Sequence, residues 1–234
     1  MALNGIDLYV ESNDILSIIG PNGSGKTTLF NCLTGIYHPN HGDISFQGES
    51  LLGQSPDAIA IRGIARTFQN LRLFMNMNVL DNLMLGRHIH FQKNIFAAFL
   101  RLRKEELRHR ERVEEIIDFL DLQAYRKSLV ADCPYGVQKR IELGRALALE
   151  PKILLLDEPV SGLTSEEKEE SAYRITEIRG RFKVTILLVE HDLKIASRLA
   201  DSMVAFNYGQ KIAEGTPEEV QRNPEVIRAY LGEE

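Results

Sequence analysis

The sequence predicts an α/β fold with a largely parallel sheet. Short apolar runs alternate with helical stretches along the 234 residues, which is the pattern of strand–helix–strand units. Residues 153–156 and 184–189 are almost wholly apolar, as strands buried on both faces of a parallel sheet are. One long stretch without any strand pattern interrupts this alternation. We therefore expect an α/β core with an inserted helical subdomain.

Glycine and proline residues separate the predicted elements in the first part of the core. A glycine-rich turn lies between a strand and a helix at residues 26–34, and Ser55 followed by Pro56 marks the start of another helix. Gly48 closes a short strand. The strands predicted here are residues 3–10, 14–19, 43–47 and 65–69.

The interruption is predicted to be helical. Residues 78–87 have a helical pattern, residues 91–100 are apolar and irregular, and residues 101–122 form a highly charged helix. Val113, Ile116, Ile117 and Leu120 follow the spacing i, i+3, i+4, i+7, which places them on one helix face. We expect three segments: residues 1–75 as the first part of the core, 76–133 as the helical subdomain and 134–234 as the second part.

The α/β alternation resumes in the last segment. Pro151 ends a helix predicted at residues 137–150, and Thr164 or Ser165 caps a helix that reaches about residue 181. Thr216 and Glu219 have the capping-box spacing of a further helix start. The other predicted elements are the strands at 153–156 and 184–189, the helix at 193–199 and a hairpin of residues 202–207 and 210–214.

Composition and charge exclude several classes of protein. The chain is 44% apolar and 26% charged, which is typical of a globular domain rather than a disordered one. Its net charge of −5 lacks the basic surplus of a nucleic-acid binder. Two distant cysteines suggest neither a disulfide framework nor a zinc site. There is no apolar run long enough to span a membrane and no signal-peptide pattern, so a cytosolic protein is the default expectation.

A glycine-rich sequence predicts a phosphate-binding loop. GPNGSGKTT fits G-x-x-x-x-G-K-[ST] and lies between a predicted strand and a predicted helix, as this motif requires. Its glycines allow backbone N–H groups to surround phosphate oxygens at a helix N-terminus. Lys26 is expected to reach the β- and γ-phosphates, and Thr27 to bind Mg²⁺. The alternative is a chance glycine-rich loop. The predicted nucleotide-binding residues are Gly20, Pro21, Asn22, Gly23, Ser24, Gly25, Lys26, Thr27 and Thr28.

Two carboxylates end the apolar strand at residues 153–156. Asp157 is expected to hold Mg²⁺, as the second acidic metal partner of a phosphate-loop NTPase does. Glu158 is expected to accept a proton from the attacking water. By itself, such a pair is also compatible with an acidic strand end before a turn. Its occurrence after a phosphate loop favours the catalytic interpretation.

These motifs and four others, which occur in the order typical of the family, resemble the nucleotide-binding subunits of ABC transporters over nearly the whole chain. Gln69 resembles the glutamine of the family's Q-loop, and residues 161–164 resemble the D-loop. CPYGV at residues 133–137 stands where the family has its signature loop. His191 resembles the switch histidine. The charged insert, the signature loop with proline and tyrosine, and the ending NPEVIRAYLG are most similar to the branched-chain amino acid importers.

The resemblance implies a phosphate-loop NTPase core of ABC type with an antiparallel β flank, ATP and Mg²⁺ as ligands, and catalytic roles for Glu158, His191, Lys26 and Gln69. Gln69 is also implied as a Mg²⁺ ligand. Tyr135 and Gly136 would contact ATP held by a second ATPase subunit, an identical or paralogous chain. The other implied partners are transmembrane permeases and, indirectly, a solute-binding protein. The implied location is the cytoplasmic face of the membrane, as a peripheral subunit.

The chain departs from the family pattern in two places. Pro134 replaces the serine of the signature loop and Val137 its glutamine, so this side should hold the partner's ATP less fully. In the family, an aromatic residue that stacks on adenine precedes the strand that residues 3–10 match. Only Met1 and Ala2 precede that segment here. Either the start is truncated or the stack is absent, because Tyr9 is expected to pack within the strand.

Alternative functions remain open at this point. The solute is not encoded in this chain, and the resemblance alone favours branched-chain or other amino acids, with urea or an amide as the alternative. A soluble ABC ATPase acting on DNA normally has long coiled coils between its motifs, and the gap here is far too short for them. A ribosome-acting one normally has two cores, whereas only one phosphate loop occurs in this sequence. A non-hydrolysing scaffold is disfavoured because Glu158 and His191 are both present.

Overall fold

The computed structural model describes residues 2–69, 71–90 and 95–231, with only the backbone for 95–104 and 231. Its main sheet has six strands in the order β4-β5-β6-β1-β7-β8, and the described strands are parallel except for β8, which is antiparallel to β7. A small antiparallel pair, β2 and β3, lies apart from it. The prediction of a largely parallel α/β sheet is confirmed. The strands are β1 Ile15–Ile19, β2 Ser45–Phe46, β3 Glu49–Ser50, β4 Ile64–Arg66, β5 Ile153–Asp157, β6 Thr185–Val189, β7 Ser202–Asn207 and β8 Gln210–Gly215.

The helices begin where side chains or prolines favour a start. Asn78 accepts a hydrogen bond from the Asp81 N–H at the start of α3, and Thr164 and Thr216 form capping boxes at α6 and α8. None of the described helices is long and apolar enough to cross a membrane. The helices are α1 Lys26–Leu33, α2 Pro56–Arg62, α3 Val79–Gly86, α4 Ile95–Phe119, α5 Tyr135–Ala148, α6 Ser165–Phe182, α7 Leu193–Leu199, α8 Pro217–Arg222 and α9 Pro224–Leu231.

The described chain forms two compact units. The core unit comprises Met1–Arg66 and Lys152–Glu234 and contains the main sheet. The helical unit comprises Thr67–Pro151. In the helical unit the predicted stripe of Val113, Ile116, Ile117 and Leu120 is completely buried, which confirms it as a packing face.

Three predicted elements differ from the structure. Residues 3–10, predicted as a strand, belong to no strand of the described chain, although Leu3, Ile6, Leu8 and Val10 pack against the core. An alternating apolar pattern reports burial on one side, whereas a strand also needs a hydrogen-bonded neighbour. The irregular stretch predicted at 91–100 is helical from Ile95 onward. The strand predicted at 65–69 ends at Arg66, and the following Phe68 N–H points to the Glu142 carboxylate instead.

Candidate functional site

The glycine-rich loop connects β1 to α1 and is closed around a lysine. Lys26 is only 5% exposed, and its ammonium donates to the carbonyl oxygens of Gly20 at 2.8 Å and Pro21 at 2.9 Å. Gly20 has a φ of +147°, and a Cβ there would lie 2.2 Å from the Phe206 carbonyl oxygen. No side chain fits this close approach, so the position requires glycine.

The loop is suited to hold a polyphosphate. The N-terminus of α1 faces it, and helix N-termini favour anions. Burial lowers the pKa of Lys26, while the nearby carboxylates of Glu158 and Asp157 act in the opposite direction. The lysine is therefore under the electrostatic influence of both acidic residues at the end of β5.

Asp157 is fixed by an arginine that the sequence analysis did not identify. The Asp157 carboxylate is 3% exposed, and its Oδ2 accepts from Arg66 Nη2 at 2.8 Å. Arg66 also donates to Asn31 Oδ1 at 2.7 Å, and its guanidinium lies 5.4 Å from the centre of the Phe30 ring. An arginine at a strand end is usually a surface residue, so the sequence carried no signal for this ion pair.

The donor set fits a magnesium ion. Thr27 is the second residue of α1, and the buried Asp157 carboxylate ends β5. Mg²⁺ prefers oxygen ligands and is commonly held in proteins by one or two carboxylates together with substrate phosphates. A hydroxyl and a carboxylate beside a phosphate-binding loop meet this requirement.

Glu158 and His191 are in direct contact. The Glu158 Oε1 lies 2.8 Å from the His191 Nε2. Glu158 has a φ of +50°, a conformation that costs energy for a residue with a side chain, and its N–H donates to the Val189 carbonyl at 2.9 Å. The main chain thus turns sharply after β5. This turn directs the Glu158 carboxylate toward the histidine that follows β6.

Glu190 joins the two segments that carry this pair. It is 2% exposed, and its carboxylate accepts from the N–H groups of Val160 at 3.0 Å and His191 at 3.1 Å. Burial raises the pKa of Glu190, and these backbone hydrogen bonds oppose that rise. Glu190 directly follows the five buried residues of β6. An acidic residue at the end of an apolar strand was a signal that the sequence analysis did not use.

The remaining predicted site residues belong to the helical unit. Gln69 is exposed, and Tyr135 and Gly136 are the first residues of α5. Pro134, at the N-cap position, makes no side-chain capping bond. Within the core unit the structure brings Glu158 and His191 into contact, and burial lowers the pKa of Lys26 against the opposing effect of the Glu158 and Asp157 charges. Tyr9, expected to pack within a strand, is instead 75% exposed.

Comparison with known proteins identifies two family matches. Residues 3–161 match the ABC transporter family. Residues 210–234 match the family described as branched-chain amino acid ATP-binding cassette transporter. Between them, the two matches include the phosphate loop, the carboxylate pair and the C-terminal helices.

Individual relatives agree with these matches. The chain is 40% identical to the high-affinity branched-chain amino acid transport ATP-binding protein BraF of Pseudomonas aeruginosa and 39% identical to LivG of Escherichia coli. Each alignment covers 100% of this chain and 92% of the relative. A nucleotide-free ATP-binding cassette from an ABC transporter is 32% identical, with a TM-score of 0.86 over 99% of this chain and 93% of that one. The ADP conformation of the cassette MJ1267 is 31% identical, with a TM-score of 0.85 and the same coverage.

Proposed function

The chain belongs to the ABC transporter family as an ATP-binding ATPase subunit, and we propose that it drives the import of branched-chain amino acids. The observation that carries the substrate class is the match of the C-terminal 25 residues, 210–234, to the branched-chain amino acid cassette family. Full-length similarity to BraF and LivG supports the same assignment. Residues 210–234 include α9. Because this segment matches the branched-chain family, it distinguishes the proposal from a general assignment to ABC transporters.

The core unit supplies the groups for hydrolysis. Lys26 and the loop amides bind the β- and γ-phosphates of ATP. Thr27 and Asp157 hold Mg²⁺, which neutralises negative charge on the phosphates when it is bound. Glu158 accepts a proton from the attacking water, and His191, 2.8 Å away, orients that carboxylate. Stabilisation of the transition state is mainly electrostatic.

The helical unit supplies groups for communication with other subunits. Tyr135 and Gly136, at the start of α5, contact ATP held by a second ATPase subunit, so that two chains pair head to tail. Transmembrane permeases bind the pair at the cytoplasmic face of the membrane, and a solute-binding protein delivers the amino acid. From the sequence, Phe91, Ile95, Phe96 and Phe99 are candidates for an apolar wall that receives a permease helix or, equally, for the interior of the helical subdomain, and their side chains lie outside the described residues.

Transport by the assembled complex tests the proposal. The chain, its permeases and the solute-binding protein are reconstituted in liposomes, and uptake of labelled leucine, isoleucine and valine is measured with ATP on the side of the ATPase. We expect uptake that requires ATP and is lost with Glu158→Gln. If urea or an amide stimulates hydrolysis and these three amino acids do not, the proposed substrate class is wrong. Hydrolysis unaffected by permeases would favour the soluble ABC ATPase alternative.

A dilution series tests the shared site. Because each ATP needs a second subunit, the hydrolysis rate per chain should rise with protein concentration. Light scattering on the Glu158→Gln variant with ATP, over the same range of concentration, should show that dimers appear. A constant rate per chain in samples that remain monomeric contradicts the head-to-tail pair.

A further inference from the structure

The last described helix reaches the first residue of the phosphate loop. The Tyr230 hydroxyl on α9 accepts a hydrogen bond of 2.8 Å from the backbone N–H of Gly20, 210 residues earlier in the chain. The carbonyl oxygen of the same glycine accepts from the Lys26 ammonium at 2.8 Å. Both backbone polar groups of Gly20 are therefore engaged, one by the loop's own lysine and the other by the C-terminal helix.

Gly20 has little freedom to move without disturbing its neighbours. Its φ of +147° and the 2.2 Å distance between an ideal Cβ and the Phe206 carbonyl show how closely the backbone approaches β7. Gly20 is also where β1 ends and the loop begins. The direction in which the chain leaves the strand is consequently set at this residue, and this direction decides where the loop amides point.

The ring of Tyr230 is held in a small apolar cluster. Buried members of that cluster include Ile19, which precedes Gly20, and Ala196 on α7. Val226, one turn before Tyr230 on α9, is 3% exposed in the same cluster. Leu193, two residues after His191, packs against it. The tyrosine therefore has a fixed ring and a hydroxyl directed to one amide, which is the arrangement of a positioning group.

We propose that Tyr230 is a positioning residue for nucleotide binding, which holds the phosphate loop in its anion-binding conformation through the Gly20 amide. The inference rests on the family's ATP binding at residues 20–28. Without the hydroxyl, the loop also populates conformations that do not bind nucleotide. The apparent affinity for nucleotide then falls in proportion to the fraction of the protein that remains competent to bind. The short segment matched to the branched-chain cassette family thus acts directly on the ATP site.

The test uses Tyr230→Phe, which keeps the ring and removes only the acceptor. Tyr173→Phe, at a 66% exposed position on α6, is the matched control. Binding of ATP and of inorganic tripolyphosphate, both with Mg²⁺, is measured by calorimetry together with thermal unfolding. We expect Tyr230→Phe to unfold within a few degrees of the parent and to weaken both ligands by about fivefold. Equal losses for ATP and tripolyphosphate assign the effect to the phosphate loop.

Two results overturn the inference. One is a folded Tyr230→Phe chain that binds both ligands within twofold of the parent, as a purely structural tyrosine would allow. The other comes from the parent itself: the Gly20 amide should be protected in hydrogen exchange, and exchange at the rate of an exposed amide contradicts the bond. A parent that binds no ATP removes the proposed function and this inference together. A parent that binds ATP normally, combined with either result, removes only the inference.

Discussion

Two helices of this protein begin where an anion is expected, and their first turns are built differently. Helix α1 follows the buried strand β1 through a loop that is bonded to the Lys26 ammonium and the Tyr230 hydroxyl of the core unit, and the Asp157 and Glu158 carboxylates act electrostatically on that lysine. Helix α5 starts after Pro134, with no side-chain cap and with Tyr135 44% exposed. One N-terminus has its charged partners in its own unit, whereas the other has an exposed first turn.

We expect the start of α1 to be a complete nucleotide-binding site and the start of α5 to contribute to a site that is formed elsewhere. At α1, the loop amides, the buried Lys26 and the side-chain oxygens of Thr27 and Asp157 all belong to one compact unit, so we expect a nucleotide to bind to a single chain. At α5, the first turn offers amides and a helix dipole but no acidic residue, and the Lys139 ammonium lies 5.8 Å from the centre of the Tyr135 ring. Such an end can strengthen the grip on a phosphate that is already bound elsewhere. The following predictions test this division of roles.

The largest effect is expected for Glu158→Gln in the core unit. Loss of the proton acceptor should reduce ATP hydrolysis by about 10² or more, while ATP binding stays intact. Single-turnover hydrolysis and equilibrium binding are measured on the same preparation. Glu166→Gln, an exposed change on α6, is the control. If Glu158→Gln hydrolyses ATP at the parental rate, Glu158 is not the general base.

Lys26→Met should weaken ATP binding by about tenfold to a hundredfold. The ammonium makes charge-assisted hydrogen bonds to the phosphates, and one such bond contributes about 1.5–3 kcal/mol. Lys194→Met, exposed on α7, is the matched control in a fluorescence titration. Unchanged affinity in Lys26→Met would mean that the lysine remains bonded to the Gly20 and Pro21 carbonyls when nucleotide binds.

Pro134→Ser should raise hydrolysis by about fivefold in dilute samples. Serine adds an N-capping hydroxyl and an N–H at the start of α5, and a cap contributes about 1 kcal/mol. The gain should shrink as protein concentration increases, because it comes from the contact between two chains. A gain that is independent of concentration would show that α5 acts within its own chain.

The smallest effect concerns acid stability of the helical unit. Burial first, then the charge of Arg87, lowers the pKa of His109, whose Nδ1 lies 3.2 Å from Arg87 Nε. Arg108 and His90 act in the same direction and Glu105 opposes them. As pH falls below about 6.5, the unfolded chain binds a proton that the folded chain resists, so stability is lost. In denaturant unfolding between pH 7.5 and 5.5, the free energy of unfolding should decline less steeply for His109→Asn than for the parent. An equal decline in both proteins contradicts the assignment.

The sequence by itself determined the features that are local. The phosphate loop, the carboxylates after an apolar run and the buried stripe at 113–120 are patterns within about ten neighbouring residues, and the structure confirms the strand–loop–helix context of the first. Apart from the three elements that differ, the sequence predicted the bounds of helices and strands to within a few residues, because capping residues, prolines and periodicity act locally. The order of the motifs was sufficient to indicate the family.

Only the tertiary structure decided how distant groups meet. Arg66 pairs with Asp157 across 91 residues, Glu190 reaches the Val160 amide across 30, and Tyr230 reaches Gly20 across 210. The strand order β4-β5-β6-β1-β7-β8 brings these residues together, and no period in the chain encodes that order. The same limit explains the misplaced strand at residues 3–10. An alternating pattern specifies which side chains are buried, but a strand exists only where a second backbone supplies its hydrogen bonds.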